Sequence, residues 1–186
     1  MTTDLRAKRT QKAIKEAFVD LLHERDYDKI NVQDIVTRAM INRSTFYQYY
    51  FNKSDLTGKL IAEIRCGYEQ FLILRFGKNP QESIKARESL THQDRRLALA
   101  LLKIQTPKHN FRREMHTLIK NRFLAYASNQ DPNLDWDFHA DSYAAMALHA
   151  GEYYLKKGQE LNEIETLKDW QKVMDILQIG LMGDDE

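Results

Sequence analysis

The chain is 186 residues long, 42 % hydrophobic and 30 % charged, with a net charge of +1. This composition suits a globular protein with a real core, and it excludes a helical membrane span: no apolar run approaches the ~20 residues that crossing needs, the longest being Leu97 to Leu102. A single cysteine, Cys66, excludes an intrachain disulfide, and Asp4, Arg6, Lys8 and Arg9 give no sign of an apolar leader, so a cytoplasmic location is expected, with Cys66 a buried spectator.

Three prolines and seven glycines are few breakers, and Leu, Ala, Glu, Lys and Gln abound. The expected fold class is therefore all-α. The best strand candidate, "KINV" (Lys29 to Val32), is too short to build a sheet. In chain order, Thr3 to Arg25 reads as an amphipathic helix with Ile14, Phe18, Leu21 and Leu22 on the 3.6-residue period. Asn31 caps a short second helix, with Asp34 three residues on and Val32, Ile35, Val36 and Ala39 turned inward. Met40 and Ile41 make a turn. Asn42 caps a third helix from Arg43 to about Tyr50. Ser54 caps a fourth that carries Leu56, Leu60, Ile64 and Phe71 to about Phe76, where Gly77, Asn79 and Pro80 close it. Such short helices are marginal alone, so they must pack into one bundle around Phe18, Leu21, Ile35, Phe46 and Tyr50. The pattern then predicts helices over Gln81 to Gln105, Phe111 to Ala127, Trp136 to Lys157 and Glu163 to Leu181. Pro107, a loop from Ser128 to Asp135, and Gly158 separate them.

The second and third helices, joined by a short turn, have the skeleton of a helix-turn-helix, whose second helix enters the major groove of DNA. The third helix has the side chains for it. Phe46 and Tyr50, four residues apart, point inward. Arg43, Ser44, Thr45, Tyr47, Gln48 and Tyr49 cover the rest. Arg can fork onto guanine and Gln onto adenine, and hydroxyls hold phosphate oxygens. Lys53 adds charge beside the next helix's N-terminus. Residues 1 to 65 hold 12 Lys/Arg against 9 Asp/Glu, a mildly basic front end compatible with a polyanion.

Residues 10 to 56, "TQKAIKEAFVDLLHERDYDKINVQDIVTRAMINRSTFYQYYFNKSDL", resemble the N-terminal domain of the TetR family of bacterial transcriptional regulators. The "V-x-D-I-V" helix, the "N-R-S-T-F-Y-x-Y-Y" recognition helix and the "N-K-S-D-L" start of the fourth helix carry the resemblance. It implies an N-terminal three-helix DNA-binding domain over residues 1 to 56 and a helical ligand-binding and dimerisation domain over 57 to 186. It implies a homodimer, usually a repressor, on a palindromic double-stranded DNA operator with half-sites about 34–36 Å apart, answering to a small-molecule effector. By motif position, Asn31 and Gln33 approach phosphate or sugar. Asn42, Arg43, Ser44, Thr45, Tyr47, Gln48 and Tyr49 face the groove, and Lys53 meets a phosphate. The family often has Gly where Asp26 and Met40 stand, and Met tolerates positive φ poorly, so an altered turn is an open expectation. Ser44 and Tyr49 also depart from frequent family residues. The alternative is a co-regulator of the same fold acting through a protein partner without direct DNA binding.

In the second half, Leu167, Trp170, Met174, Leu177 and Leu181 make an apolar seam, and Ala140, Ala144, Ala147 and Gly151 a matching stripe of small residues. The resemblance implies a four-helix dimer interface from these two helices; the pattern itself equally allows both stripes to pack inside one subunit. Candidate effector-pocket residues are Tyr68, Phe71, Phe76, Phe111, Met115, Phe123, Tyr126 and Tyr143. His109 and His116 are too far apart for one metal by adjacency, and the scattered histidines carry no metal signature. Neither cofactor nor enzyme motif is legible: there is no G-x-S-x-G, Gly-rich phosphate loop or H-E-x-x-H.

Overall fold

The computed structural model describes residues 2–77, 92–128, 133–159 and 163–181. Among them the fold is all-α, with one isolated antiparallel bridge, Gln105 to Asn110. The helices are α1 (Thr2–Glu24), α2 (Val32–Arg38), α3 (Arg43–Tyr47), α4 (Lys53–Arg75), α5 (His92–Leu101), α6 (Phe111–Ala127), α7 (Trp136–Lys157) and α8 (Glu163–Leu181), with a single 3-10 turn at Tyr27–Lys29. The chain divides into two compact units, residues 1–148 and 149–186, and α4 runs unbroken across residue 56.

In the first unit, α1 buries Ile14, Ala17, Phe18, Leu21 and Leu22, the spacing that lines one helical face. Ile35 and Val36 of α2, Phe46 of α3, and Leu56, Leu60 and Ile61 of α4 complete the head's core. Tyr50, Val32 and Ala39 are only partly buried against it. The same cluster continues without a break into Leu97, Ala100, Leu101, Ile104, Phe111 and Met115, so α5 and the start of α6 share the head's core. Polar contacts reinforce this: Arg96 reaches Asp20 at 2.5 Å, and Lys103 Nζ donates to the carbonyls of Leu22 and His23 at 3.0 and 3.2 Å. Those carbonyls end α1, where a cation also meets the negative pole of the helix. A second cluster joins Phe71, Leu72, Ile119 and Ala144.

Several expectations are corrected. The recognition helix ends at Tyr47, not Tyr50. Gln48 and Tyr49 N–H bond three residues back, to Thr45 and Phe46, which tightens the last turn out of α geometry. Asn42 precedes α3 but makes no side-chain capping bond. Ser54 does not cap α4 either: Asn52 does, its side chain accepting from Asp55 N–H at 2.9 Å, which puts Ser54 inside the first turn. The helix expected to reach Gln105 ends at Leu101, where Lys103 and Ile104 N–H bond three residues back, to Ala100 and Leu101, and Thr106 to His109 close a loop of their own; its expected start at Gln81 lies outside the described residues. Cys66 is exposed, lying off the 56, 60, 64, 71 stripe of α4. Ala140 and Ala144 are fully buried within one chain; Ala144 packs on Phe71, Leu72 and Ile119, so neither residue presents a face to a second copy. The side chains of Leu167, Leu177 and Leu181 lie outside the described residues.

In the second unit, α7 ends at Gly158, which has φ +66°. Gln159 N–H bonds to Tyr154 O and Gly158 N–H to Leu155 O, so the left-handed residue closes the helix in a Schellman motif.

The helix-turn-helix turn uses the same device without a glycine. Met40 has φ +54°. Ile41 N–H bonds to Val36 O at 3.1 Å and Met40 N–H to Thr37 O at 3.2 Å. The turn geometry is therefore kept, and methionine occupies it under strain of roughly 1–2 kcal/mol. Asp26, by contrast, is extended at φ −65°, where no glycine is needed. Met40 is 93 % exposed, so its side chain contributes little packing. Met40→Gly is expected to raise stability by about 0.5–1 kcal/mol, after glycine's entropy offsets part of the relief. Thermal unfolding checks it; an unchanged or lower midpoint contradicts the strain.

Candidate nucleic-acid interface

Helix α3 is held from inside by one ring. Phe46 is fully buried, with Tyr47 edge-on at 5.6 Å and Tyr50 tilted at 5.5 Å. Burying Phe46 fixes the rotation of α3, and that rotation leaves Arg43, Ser44, Tyr47 and Gln48 exposed, with Thr45 half-buried. Positions 43, 44, 47 and 48 share one helical face. Arg43 donates to Tyr47 Oη at 3.2 Å, with its guanidinium 5.7 Å from the ring centre. The fork thus rests on its neighbour one turn on, and the exposed groups are types that read base edges and hold phosphates.

The start of α2 lies alongside in sequence order. Asn31 Oδ1 accepts from Asp34 N–H at 3.0 Å, and Asp34 Oδ2 accepts from Asn31 N–H at 2.8 Å, a full capping box. Asn31 keeps its amide NH2 for a partner, since the cap uses only the oxygen. Gln33 is exposed and bonds to Thr37 Oγ1 at 3.3 Å. At the other end, Arg38 grips Glu24 through two bonds of 2.8 and 2.7 Å, fastening α2 to α1. That bond holds the Glu24 carboxyl below the usual carboxylate range.

Two predicted contact residues are engaged inward. Tyr49 is half-buried and packs against the core. Lys53 Nζ donates to Tyr27 O at 2.6 Å and Ile30 O at 2.7 Å, and sits 3.9 Å from the Tyr27 ring centre. Burial lowers its pKa from the ordinary lysine value, partly offset by Asp28 and Asp34. Two of its three N–H donors are therefore committed to the connector between α1 and α2, and one remains for an outside acceptor.

Residues that the sequence pattern did not single out complete the support. Lys59 Nζ donates to Tyr49 O at 2.9 Å and Asp55 Oδ2 at 3.1 Å, tying the exit of α3 to α4. Asp55 also accepts Phe51 N–H at 2.9 Å, a bond that holds its carboxyl below the usual range. Helical spacing alone carries no signal for these, because each reaches backbone atoms outside its own helix.

Further along, the candidate effector residues fall into separate groups. Phe111 and Met115 are buried in the head's cluster, with Tyr68 partly buried against both clusters. Phe71 is core of the second cluster. Phe123 stacks on Tyr143 at 4.4 Å, and Phe76 meets Phe123, Tyr126 and Tyr143 within 5.9 Å. Tyr126 is exposed. No group of three or more metal-ligating side chains occurs among the described residues, and none of the described helices is long and apolar enough to cross a membrane.

An all-helical chain with a helix-turn-helix head is what these elements define. The model of "Bacterial regulatory proteins, tetR family" matches residues 14–59. An uncharacterised HTH-type transcriptional regulator of Bacillus subtilis, YxbF, is 42 % identical over 59 residues, 31 % of this chain and 16 % of its own length. The HTH-type dhaKLM operon transcriptional activator DhaS of Lactococcus lactis is 47 % identical over 47 residues, 25 % of each chain. The matches thus span a quarter or less of these relatives. In fold, the chain is similar to NalD, the secondary repressor of the MexAB-OprM multidrug efflux pump in Pseudomonas aeruginosa, with a TM-score of 0.64 at 18 % identity over 84 % of this chain and 89 % of that one. The likeness to the tetR family of bacterial regulatory proteins thus lies in the head, residues 14–59.

Removing the Lys53 ammonium strands two carbonyls beside the connector. Lys53→Met is expected to lower stability by about 1–3 kcal/mol, seen in chemical denaturation without DNA. A midpoint equal to wild type contradicts the bracing role.

Proposed function

We propose that this protein is a cytoplasmic transcriptional regulator, not an enzyme, whose residues 1 to 56 bind a palindromic operator as a homodimer. The observation that carries the reading is the exposed face of α3, with Arg43, Ser44, Tyr47 and Gln48 outward and Phe46 locked inward. In this reading, Arg43 and Gln48 read base edges in the major groove. Asn31, Gln33, Asn42, Ser44, Thr45 and Tyr47 position the head on phosphates and groove walls, and the remaining donor of Lys53 reaches one phosphate. Tyr49 contributes at the groove wall from its half-buried place.

Residues 57 to 186 dimerise and answer to a small-molecule effector. The exposed Trp170, Val173 and Met174 of α8 support a mate there, since they share one face and lie open in the single chain. Gly151 is the small residue of α7 left in the second unit for that interface, since Ala147 packs on the second cluster of the first unit. The ring group of Phe123, Tyr126 and Tyr143 supports an apolar effector. A ligand acts by favouring one spacing of the two heads over another. Repression follows from a bound dimer occupying the promoter; the relatives' names include one activator and one repressor, so the sign of regulation is read in the same test.

Selection of duplexes from a random pool by the purified chain is expected to yield a palindrome bound with steep salt dependence. Transcription from a promoter carrying that palindrome is expected to fall when the protein is added. Arg43→Ala should lower affinity for it by about 1–3 kcal/mol and relax preference at one position in each half-site. Absence of any selected site, with a protein partner captured instead, contradicts direct reading of DNA.

A further inference from the structure

The loop between α5 and α6 meets the head at a buried histidine. His109 is 8 % exposed, and its Nε2 lies 2.7 Å from Ser54 Oγ in the first turn of α4. The ring also lies over Gly58, where an added Cβ would stand 3.4 Å from His109 Cε1. The histidine's backbone is held as firmly. Its N–H donates to Thr106 Oγ1 at 2.9 Å, and Thr106 N–H donates to His109 O at 2.9 Å. These bonds fix the backbone from which the ring reaches α4.

Ser54 stands between two residues that position the reading head. Lys53 holds the connector ahead of α2. Asp55 holds Phe51 N–H, just past α3. A shift of this turn therefore reaches both helices of the helix-turn-helix. Ser54 can accept from a protonated ring as it can donate to a neutral one, and hydrogen bonding there favours the second proton; what opposes that proton is the burial of its charge, where α4 meets the ring with the neutral Ser54 and Gly58. Asp55 is occupied by Phe51 and Lys59. The charges that reach the ring are Lys108 from its own loop, which opposes protonation, and Glu114 of α6, which favours it.

We infer that His109 is a proton-sensitive latch: neutral, it fastens the first turn of α4 to the 102–110 loop, and protonated, it releases that turn and weakens DNA binding. This regulation rests on the DNA-binding reading above. Burial, and then Lys108, hold the ring's pKa below the ordinary histidine value of 6.5. A group depressed in this way contributes fully above pH 6.5, and its contribution falls away as the pH drops from there toward the folded-state value.

The test uses the full chain, wild type and His109→Gln, with a labelled duplex selected by the wild type at pH 7.5. Glutamine keeps an amide for Ser54 and does not titrate. From pH 7.5 to 5.5, wild-type affinity is expected to fall about three- to tenfold more than that of the glutamine variant. In the DNA-free protein, the backbone amide signals of Ser54, Gly58 and Phe51 are expected to move with the same midpoint as the His109 ring, and to stay still in the variant. Ser54→Ala, which keeps the ring and removes its partner, should flatten the response of Phe51 as well, and it decides the matter if His109→Gln does not fold. Parallel affinity profiles in wild type and variant, or α4 amides indifferent to the ring's titration, overturn the latch. If the wild type selects no duplex at any pH, the DNA-binding reading fails, and the amide titration decides the latch by itself.

Discussion

The burial of Phe46 is the constraint from which the rest of the head follows. A five-residue helix has no stability of its own, so α3 exists because its single buried ring fills the space between α1, α2 and α4. Full burial of such a side chain is worth roughly 1.5–3 kcal/mol. It also sets orientation. With Phe46 inward, 3.6 residues per turn carry 43, 44, 47 and 48 outward, and the polar face is a geometric consequence of the apolar one. The supports around it do not drive folding so much as fix angle: the capping box of α2, the Asn52 cap of α4, and the Lys59 bridge to Tyr49 O.

The head does not end where its resemblance to known regulators ends. Its core runs on through Leu97, Leu101, Ile104, Phe111 and Met115, and Lys103 closes the C-terminus of α1. A head that shares a core with its neighbouring helices responds to whatever moves them, because packed cores switch between discrete arrangements more readily than they deform. Among the described residues, the polar contacts at this seam include Arg96 with Asp20, the Arg96 carbonyl with His23, Lys103 with α1, and His109 with Ser54.

Most of the helical fold was legible because long amphipathic periods and clear breakers leave few choices. The limits of α6, α7 and α8 agree with the pattern, as does the inward set Phe18, Leu21, Ile35 and Phe46. What the pattern missed depends on contacts between distant residues. Asn52 and Ser54 are both good caps, and only the direction in which the chain enters α4 selects Asn52. Lys53 looks like a free phosphate ligand until the carbonyls of Tyr27 and Ile30 are found beneath it. The alanines at 140 and 144 carry the spacing of an interface, and a helix buried within its own chain has that spacing too. Met40 is the reverse case: family comparison flagged the position, and the positive φ is kept there despite the side chain.

The most direct measurement maps the amide and side-chain signals of the labelled protein as a selected duplex is added. The account predicts that Arg43, Ser44, Tyr47, Gln48, Asn31 and Gln33 shift strongly while the ring of Phe46 keeps its environment. Perturbation confined to α7 and α8, or a duplex bound through a surface that leaves α3 untouched, would contradict it.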